Sequence, residues 1–319
     1  MRRSTLLLGT FALALLLIAG CGRSNKTAGT STSSGNNKGR LFGVSFQTMN
    51  NPFFVHLNEG LKQVVESNGD RLVTVDAQWN SLKQKNDISD LINQGATAIF
   101  INPVNWEGVT SSLLQAKAKG IPCIIVDAPA KDQDLVLCTV ASDNVEAGRL
   151  AAKALIDAMP GGGKLVILHH SVNKACLDRV TGFHEVMDKN PAFKILDTQE
   201  GKGTTEGGRP IMRDLIGRFP DLNAVFAIND PCALGAISAL ESAGKLKQIT
   251  VVSVDGSSEA ATAIKAGKML STSAQFPVEI GKTAATKAYD YLAGKPVSKD
   301  IKIKVELVTT KNVDQFLGK

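Results

Sequence analysis

From Leu41 onward, short apolar runs bounded by turn residues alternate with stretches of helical period. The runs are Leu41–Phe46, Leu72–Val75, Ala98–Ile101, Ile121–Val126, Leu165–Leu168, Ala224–Ile228 and Thr250–Val254. They are almost continuously apolar, as in strands of a parallel sheet covered on both faces. Between them Ile211, Met212, Leu215, Ile216 and Phe219 fall on one face of a helix, as do Val145, Gly148, Ala152, Leu155 and Ile156. Asn51-Pro52 and Asp230-Pro231 each set a capping residue before proline at a first helical position. This repetition of strand and helix predicts an α/β architecture.

Two arrangements compete, an eight-unit barrel and a pair of doubly wound sheets. The stretch 131–144 carries no clear helix, only a strand-like Leu135–Val140, and the alternation restarts at Val145. Two runs of similar size favour two Rossmann-like lobes, with ligands outside the carboxyl ends of the strands.

At 319 residues the chain is long enough for two cores, and 43% hydrophobic content excludes global disorder. The net charge of +6 invites a nucleic-acid reading until the charges are located. Residues 1–40 hold Arg2, Arg3, Arg23, Lys26, Lys38 and Arg40 with no acidic residue, so of 36 basic residues 30 remain, against 30 acidic ones. The body is neutral, which suits an uncharged ligand and no nucleic-acid partner. Met1–Arg3 is a basic head and Leu6–Gly20 an apolar run of 15 residues. As a helix it would measure roughly 22 Å, short of a ~30 Å bilayer core, so residues 1–20 read as an export signal rather than a short membrane anchor. Leu17-Ile18-Ala19-Gly20-Cys21 resembles the lipobox of bacterial lipoproteins. That resemblance implies cleavage before Cys21, lipidation of its thiol and attachment to the membrane. The Ser/Thr/Gly/Asn-rich segment to Arg40 is expected to be a tether with an r.m.s. span of roughly 25 Å. Its cations either meet an anionic leaflet or simply keep a spacer solvated. Cys123, Cys138, Cys176 and Cys232 show neither a CxxC nor a zinc spacing, and no disulfide is expected.

The expected strand ends are polar: Gln47, Asp76, Asn102, Asp127, His169-His170, Asn229-Asp230, Asp255 and Gln275, with Asn51, Phe53 and Phe54 following the first strand. Amides and carboxylates complement hydroxyls that both donate and accept, and aromatic rings cover C–H faces of a sugar. Duller roles compete. Phe53 and Phe54 extend the stripe Leu57, Leu61, Val64 and Val65 and could be core; Asn51 and Asp230 are placed as helix caps, and Asp255 could cap a helix near Ser257. With Asp230 as the cap, Asn229 is the better ligand candidate. His169 and His170 with Cys176 suggest zinc, but no third ligand at a fixed helical spacing supports a metal.

Phe46–Phe54, Ile101-Asn102-Pro103, Val126-Asp127, Ala141–Asn144, Ala227–Gly235, Val254-Asp255-Gly256 and Ala274-Gln275 together resemble the ribose-type sugar-binding proteins of bacterial ABC transporters. The resemblance implies a type I periplasmic-binding-protein fold with a three-crossing hinge. The N-terminal lobe would comprise 41–142 plus 276–304, and the C-terminal lobe 143–275 plus 305–319. It also implies ligand contacts from Asn51, Phe53, Phe54, Asp127, Asn229, Asp255 and Gln275, with no cofactor and no metal. The chain departs from the ribose pattern where Ala128 and Leu177 replace ligand arginines and Gly203 an aromatic lid. Gln47, Trp79, Trp106, His169 and His170 are the candidates to compensate; Arg179 is retained, in a position that looks helix-stabilising. The implied function is extracytoplasmic capture of a neutral sugar, polyol or cyclitol by a monomer and its delivery to an ABC transporter permease. The alternative is a sensor that presents its closed form to a membrane receptor. A repressor would need a DNA-reading helix-turn-helix where the export signal stands. No G-x-S-x-G, H-E-x-x-H or Walker pattern marks an enzyme, although Asp127 and Asp255 could in principle act as a glycosidase pair.

Overall fold

The computed structural model describes residues 39–318, so the expected signal, the lipidation site at Cys21 and most of the tether lie outside the described residues. The chain runs β1 (Leu41–Phe46), α1 (Pro52–Ser67), β2 (Arg71–Asp76), α2 (Ser81–Asn93), β3 (Ala98–Ile101), α3 (Thr110–Ala118), β4 (Cys123–Val126) and β5 (Cys138–Ser142). It continues through α4 (Asn144–Ala158), β6 (Gly163–His169), α5 (Lys174–Met187), β7 (Phe193–Glu200), α6 (Thr205–Arg218), β8 (Ala224–Ala227), α7 (Asp230–Ser242) and β9 (Thr250–Asp255). α8 (Ser258–Lys265), β10 (Ser271–Ala274), α9 (Pro277–Leu292), β11 (Asp300–Ile303) and β12 (Glu306–Val308) complete it.

Two six-stranded sheets form, ordered β2-β1-β3-β4-β5-β11 and β7-β6-β8-β9-β10-β12, parallel except for the β10–β12 pair. The chain leaves the first sheet after Ser142, returns after Ala274 and crosses again between Ile303 and Glu306. In each sheet the strand order reverses beside the first strand of its lobe, between β1 and β3 and between β6 and β8, which is where α/β sheets open a crevice for ligands.

The continuous apolar runs feed two core layers at once. In β3, Ala98 and Phe100 enter one layer while Ile99 and Ile101 enter the other; in β4, Ile124 and Val126 oppose Cys123 and Ile125. The second sheet is likewise packed on both faces. Helices α4 and α5 approach so closely that a Cβ on Gly148 would stand 1.9 Å from the Arg179 carbonyl oxygen, and one on Gly182 1.9 Å from that of Val145. Only glycine allows this crossing, and it sets the position of Arg179 on α5.

Several strand boundaries differ from expectation. Residues Gln133–Leu135 form a 3-10 turn and β5 starts only at Cys138, because Gln133 folds back to accept from Thr139 Oγ1 at 2.7 Å. β4 starts at Cys123 rather than Ile121. β7, a half-exposed edge strand, and β10 have no apolar run to announce them. Thr272 and Ser273 of β10 are fully buried because they have internal roles: Ser273 Oγ donates to the Ala147 carbonyl at 2.9 Å and Thr272 Oγ1 to Asp230 at 2.7 Å.

Candidate ligand-binding site

The carboxyl ends of β1, β4, β6, β8 and β9 converge on one cavity of about 30 Å³. Gln47, Asn51, Phe53, Phe54, Trp79 and Asp127 line it from the first lobe. His170, Asn173, Ala175, Cys176, Arg179, Gly203, Asn229 and Asp255 line it from the second, with Gln275 at a crossing. The structure therefore gathers all seven principal candidates together with Gln47, Trp79, His170 and Arg179.

Trp106 and His169 are not part of this lining. Trp106 instead joins the lobes through its backbone, its N–H donating to the Val172 carbonyl at 3.2 Å. The His169 carbonyl accepts from Gly201 N–H, while its ring Nδ1 is buried without a partner among the described residues and burial lowers the imidazole pKa.

The two carboxylates are held by different means. Both end a strand with positive φ, +66° at Asp127 and +142° at Asp255, a strained conformation that turns each side chain out of the sheet. Asp127 Oδ2 accepts from Asn102 Nδ2 at 2.9 Å, and Asn102 Oδ1 accepts from the Gln47 N–H at 3.2 Å. Buried Gln84 braces this loop, donating to the Asn102 carbonyl and accepting from Val104 N–H, both at 2.8 Å. Asp255 Oδ1 accepts from Gln275 Nε2 at 2.7 Å and from Arg179 Nη1 at 3.4 Å. Arg179 also donates to Asn144 Oδ1 and to the Ile228 carbonyl, both at 2.8 Å. It therefore fixes α4, α5, β8 and β9 while facing the cavity, so the helix-stabilising and site-lining readings both describe it.

Burial pushes Asp127 up to about 6, against the pull of Arg179 and the Asn102 bond. Burial also raises Asp255, with Arg179 opposing and Asp230 adding to the rise. Glu200 behaves differently: burial would raise it, but Ser171, His170 and the Lys202 N–H all donate to it and hold it at about 2. Through that carboxylate Glu200 holds His170, whose Nε2 is buried with no protein partner among the described residues, as is Gln275 Oε1.

Two capping assignments are corrected. Asn229, not Asp230, caps α7: its backbone is extended and its Oδ1 accepts from Cys232 N–H at 3.1 Å, while Nδ2 donates to the Gly203 carbonyl at 2.8 Å. Capping and cavity lining thus coincide in Asn229. Asp230 is fully buried beneath it and accepts from Ser253 Oγ, from Thr272 Oγ1 and from Ser257 N–H, the last two at 2.7 Å each. Ser257, not Asp255, caps α8, accepting from Ala260 N–H at 3.1 Å. Asn51 both caps α1, through Phe53 N–H, and lines the cavity. Phe53 and Phe54 also belong to the core, so packing and lining again coincide.

Asn173 and Cys176 were not among the expected lining residues. Asn173 caps α5, and its Nδ2 reaches Gln47 Oε1 across the lobes at 3.5 Å. The only signal in the sequence was a cap-type residue just after the strand ending in His169. Among the described residues no group of three metal-ligating side chains assembles.

The model of the periplasmic binding protein domain matches residues 42–296. The chain is 37% identical over 300 residues to the ribose import binding protein of Bacillus subtilis strain 168, covering 94% of this chain and 97% of that one. It is 29% identical to a xylitol-binding protein of Mycolicibacterium smegmatis, covering 93% and 83%. Among solved structures, an ABC transporter solute-binding protein from Mycobacterium smegmatis with bound glycerol is 32% identical with a TM-score of 0.83, covering 88% and 98%. A galactofuranose-binding protein is 26% identical with the same TM-score of 0.83, covering 87% and 97%. With two α/β lobes of matching fold and a family model spanning most of its length, the chain belongs to the periplasmic binding protein family, the solute-binding proteins of ABC transporters, and is not an enzyme.

Proposed function

We propose that this chain captures a sugar, polyol or cyclitol between its lobes and delivers it to an ABC transporter permease. The observation that carries the reading is the convergence of Asp127 and Asp255, one from each lobe, on one cavity at the strand ends. Each charged acceptor satisfied by a ligand hydroxyl contributes about 1.5–3 kcal/mol, and a ligand lacking that hydroxyl leaves the carboxylate unpaired. A ligand that touches both lobes binds the closed arrangement better than the open one and so shifts their equilibrium. The moving bodies are 41–142 with 276–304 and 143–275 with 305–319.

Residues 1–20 direct export, and Cys21 carries the lipid that holds a monomer at the outer face of the membrane through the 21–40 tether. Supporting this are the basic head, the 15-residue apolar run and the Leu-Ile-Ala-Gly-Cys motif. No helix among the described residues is long and apolar enough to cross a membrane.

A thermal-shift screen of pentoses, hexoses, polyols and inositols tests the ligand class, and solution scattering with the best binder tests closure. A saturating ligand that produces no compaction would sink the mechanism. Radiolabelled fatty acid incorporated into the wild type but not into Cys21→Ala is the expected outcome for the anchor.

A further inference from the structure

At about 30 Å³ the cavity at the strand ends has room for one or two water-sized groups and none for a sugar ring. Asn51, Phe53, Trp79, Gly203, Asp255 and Gln275 also line the interlobe cleft of about 1050 Å³ into which it opens. The cleft therefore has space for a carbon skeleton, and the cavity for one substituent. The body as a whole is neutral, yet the cleft wall adds Glu206, Glu259 and Glu279 to Asp255, with Lys282 the only lysine or arginine among its described lining residues. His56, on the same wall, faces Glu59 at 3.1 Å.

The cavity is rich in acceptors. Asp127 and Asp255 line it from opposite lobes, and Arg179 is the only lysine or arginine among its described lining residues. Ala128 and Leu177, where the ribose pattern has arginines, bring no charge. Arg179 is already divided between Asn144, the Ile228 carbonyl and Asp255, and the Asn229 amide is committed to the Gly203 carbonyl. Two further acceptors have no partner among the described residues: His170 Nε2 and Gln275 Oε1, on residues only 8% and 5% exposed. Glu200 is ionised and requires a donor at His170 Nδ1, 3.1 Å away, so the neutral ring keeps its lone pair on Nε2. Gln275 commits its Nε2 to Asp255, which leaves the amide oxygen as its free group.

A hydroxyl brings one proton to such a site, whereas a protonated amine brings three N–H donors, no acceptor and a positive charge. Resting on the sugar-binding reading above, we infer that the ligand is an amino sugar or amino polyol, its carbon skeleton in the cleft and its ammonium in the inner cavity among Asp127, Asp255, His170 Nε2 and Gln275 Oε1. The ammonium balances the second carboxylate, which Arg179 alone does not, and the glutamates of the cleft draw the cation inward.

Calorimetric titration of the full chain tests this with ribose, glucose, galactose, xylitol and myo-inositol, each against counterparts in which one hydroxyl is replaced by an amine. At least one amine is expected to bind about tenfold or more tightly than its parent, the size of one charged hydrogen bond, and its N-acetyl derivative to lose that gain. In Asp127→Asn the ratio of amine to parent affinity is expected to fall toward one; a ratio that survives would overturn the assignment. Parents that bind while no amine reaches that gain would overturn the amine and leave the sugar reading standing. If neither parents nor amines bind, the sugar reading itself falls and the amine with it.

Discussion

Gln275 Nε2 donates to Asp255 Oδ1 at 2.7 Å, so the residue at one lobe-to-lobe crossing holds the carboxylate that ends β9. Hinge and site are thereby one hydrogen-bonded unit. Gln275→Ala removes this clasp and is expected to weaken the best ligand of the screen about tenfold, the effect of roughly 1.4 kcal/mol for a bond to a charged group. Calorimetry reads the affinity, and an unchanged dissociation constant would show that Arg179 alone orients Asp255.

Asp127→Ala and Asp255→Ala each remove a charged acceptor from one lobe. Loss of more than about a hundredfold in affinity is expected for either, given 1.5–3 kcal/mol for each charged hydrogen bond and the chance of two per carboxylate. Circular dichroism should show the apo fold retained. Retention of tight binding by both variants would move the site elsewhere.

The raised carboxylates make the ligand-free protein sensitive to pH. Asp127 ionises at about 6 when folded, above its ordinary 3.8, so its contribution is fully present below about 4 and is lost as pH rises through 6. Burial raises Asp255 and Asp230 as well, which act in the same sense. Glu200, held at about 2, works in another window: its contribution is present above its ordinary 4.5 and lost as pH falls toward 2. His169, lowered by burial, opposes the aspartates below 6.5. The clean readout is therefore the melting temperature of wild type minus that of Asp127→Asn between pH 4.5 and 8. It should fall across that range by the equivalent of about 2 kcal/mol; parallel curves would refute the burial argument. Ligand hydroxyls that pair with ionised Asp127 should also drive proton release on binding near pH 6, seen as a buffer-dependent binding enthalpy.

Packing and recognition meet at α4 and α5. Gly148→Ala places a methyl group 1.9 Å from the Arg179 carbonyl oxygen, so the helices must separate. The expected cost is 1–3 kcal/mol of stability from overpacking, together with weaker ligand binding because Arg179 shifts. Chemical denaturation and calorimetry on the same variant separate the two; a destabilised variant with normal affinity would mean that Arg179 is positioned by its own bonds to Asn144 and Ile228.

The four cysteines of the described body are free and buried, and burial pushes Cys123, Cys176 and Cys232 up to about 12. Negligible reaction with a thiol reagent is expected in the native state, and release of all four on denaturation. Rapid modification of Cys176 in the absence of ligand would instead reveal an opening of the cavity it lines.

The lobes and most strand ends were legible because the sheets are parallel and buried on both faces, which forces continuous apolar runs such as Leu41–Phe46. β10 was hidden because Thr272 and Ser273 are buried as partners of Asp230 and Ala147, a tertiary requirement that no local pattern carries. β7, at a sheet edge, lacks the apolar signature for the opposite reason. Asp127 and Asp255 could be picked out as polar residues at the ends of apolar runs. The exchange of roles between Asn229 and Asp230 could not, because both are good capping residues and only the buried hydroxyls of Ser253 and Thr272 decide which one turns inward.

The route of the chain between its sheets has a consequence for how the protein is made. β11, residues 300–303, completes the first sheet and β12, residues 306–308, the second, so both edges wait for the last segment of the described chain. α9, which packs on α1, also arrives late, bringing Gly281 against the Leu57 carbonyl. During synthesis neither lobe can reach its finished form before residues 300–308 have emerged. A chain built this way completes its two lobes together, when residues 300–308 arrive, rather than one after the other.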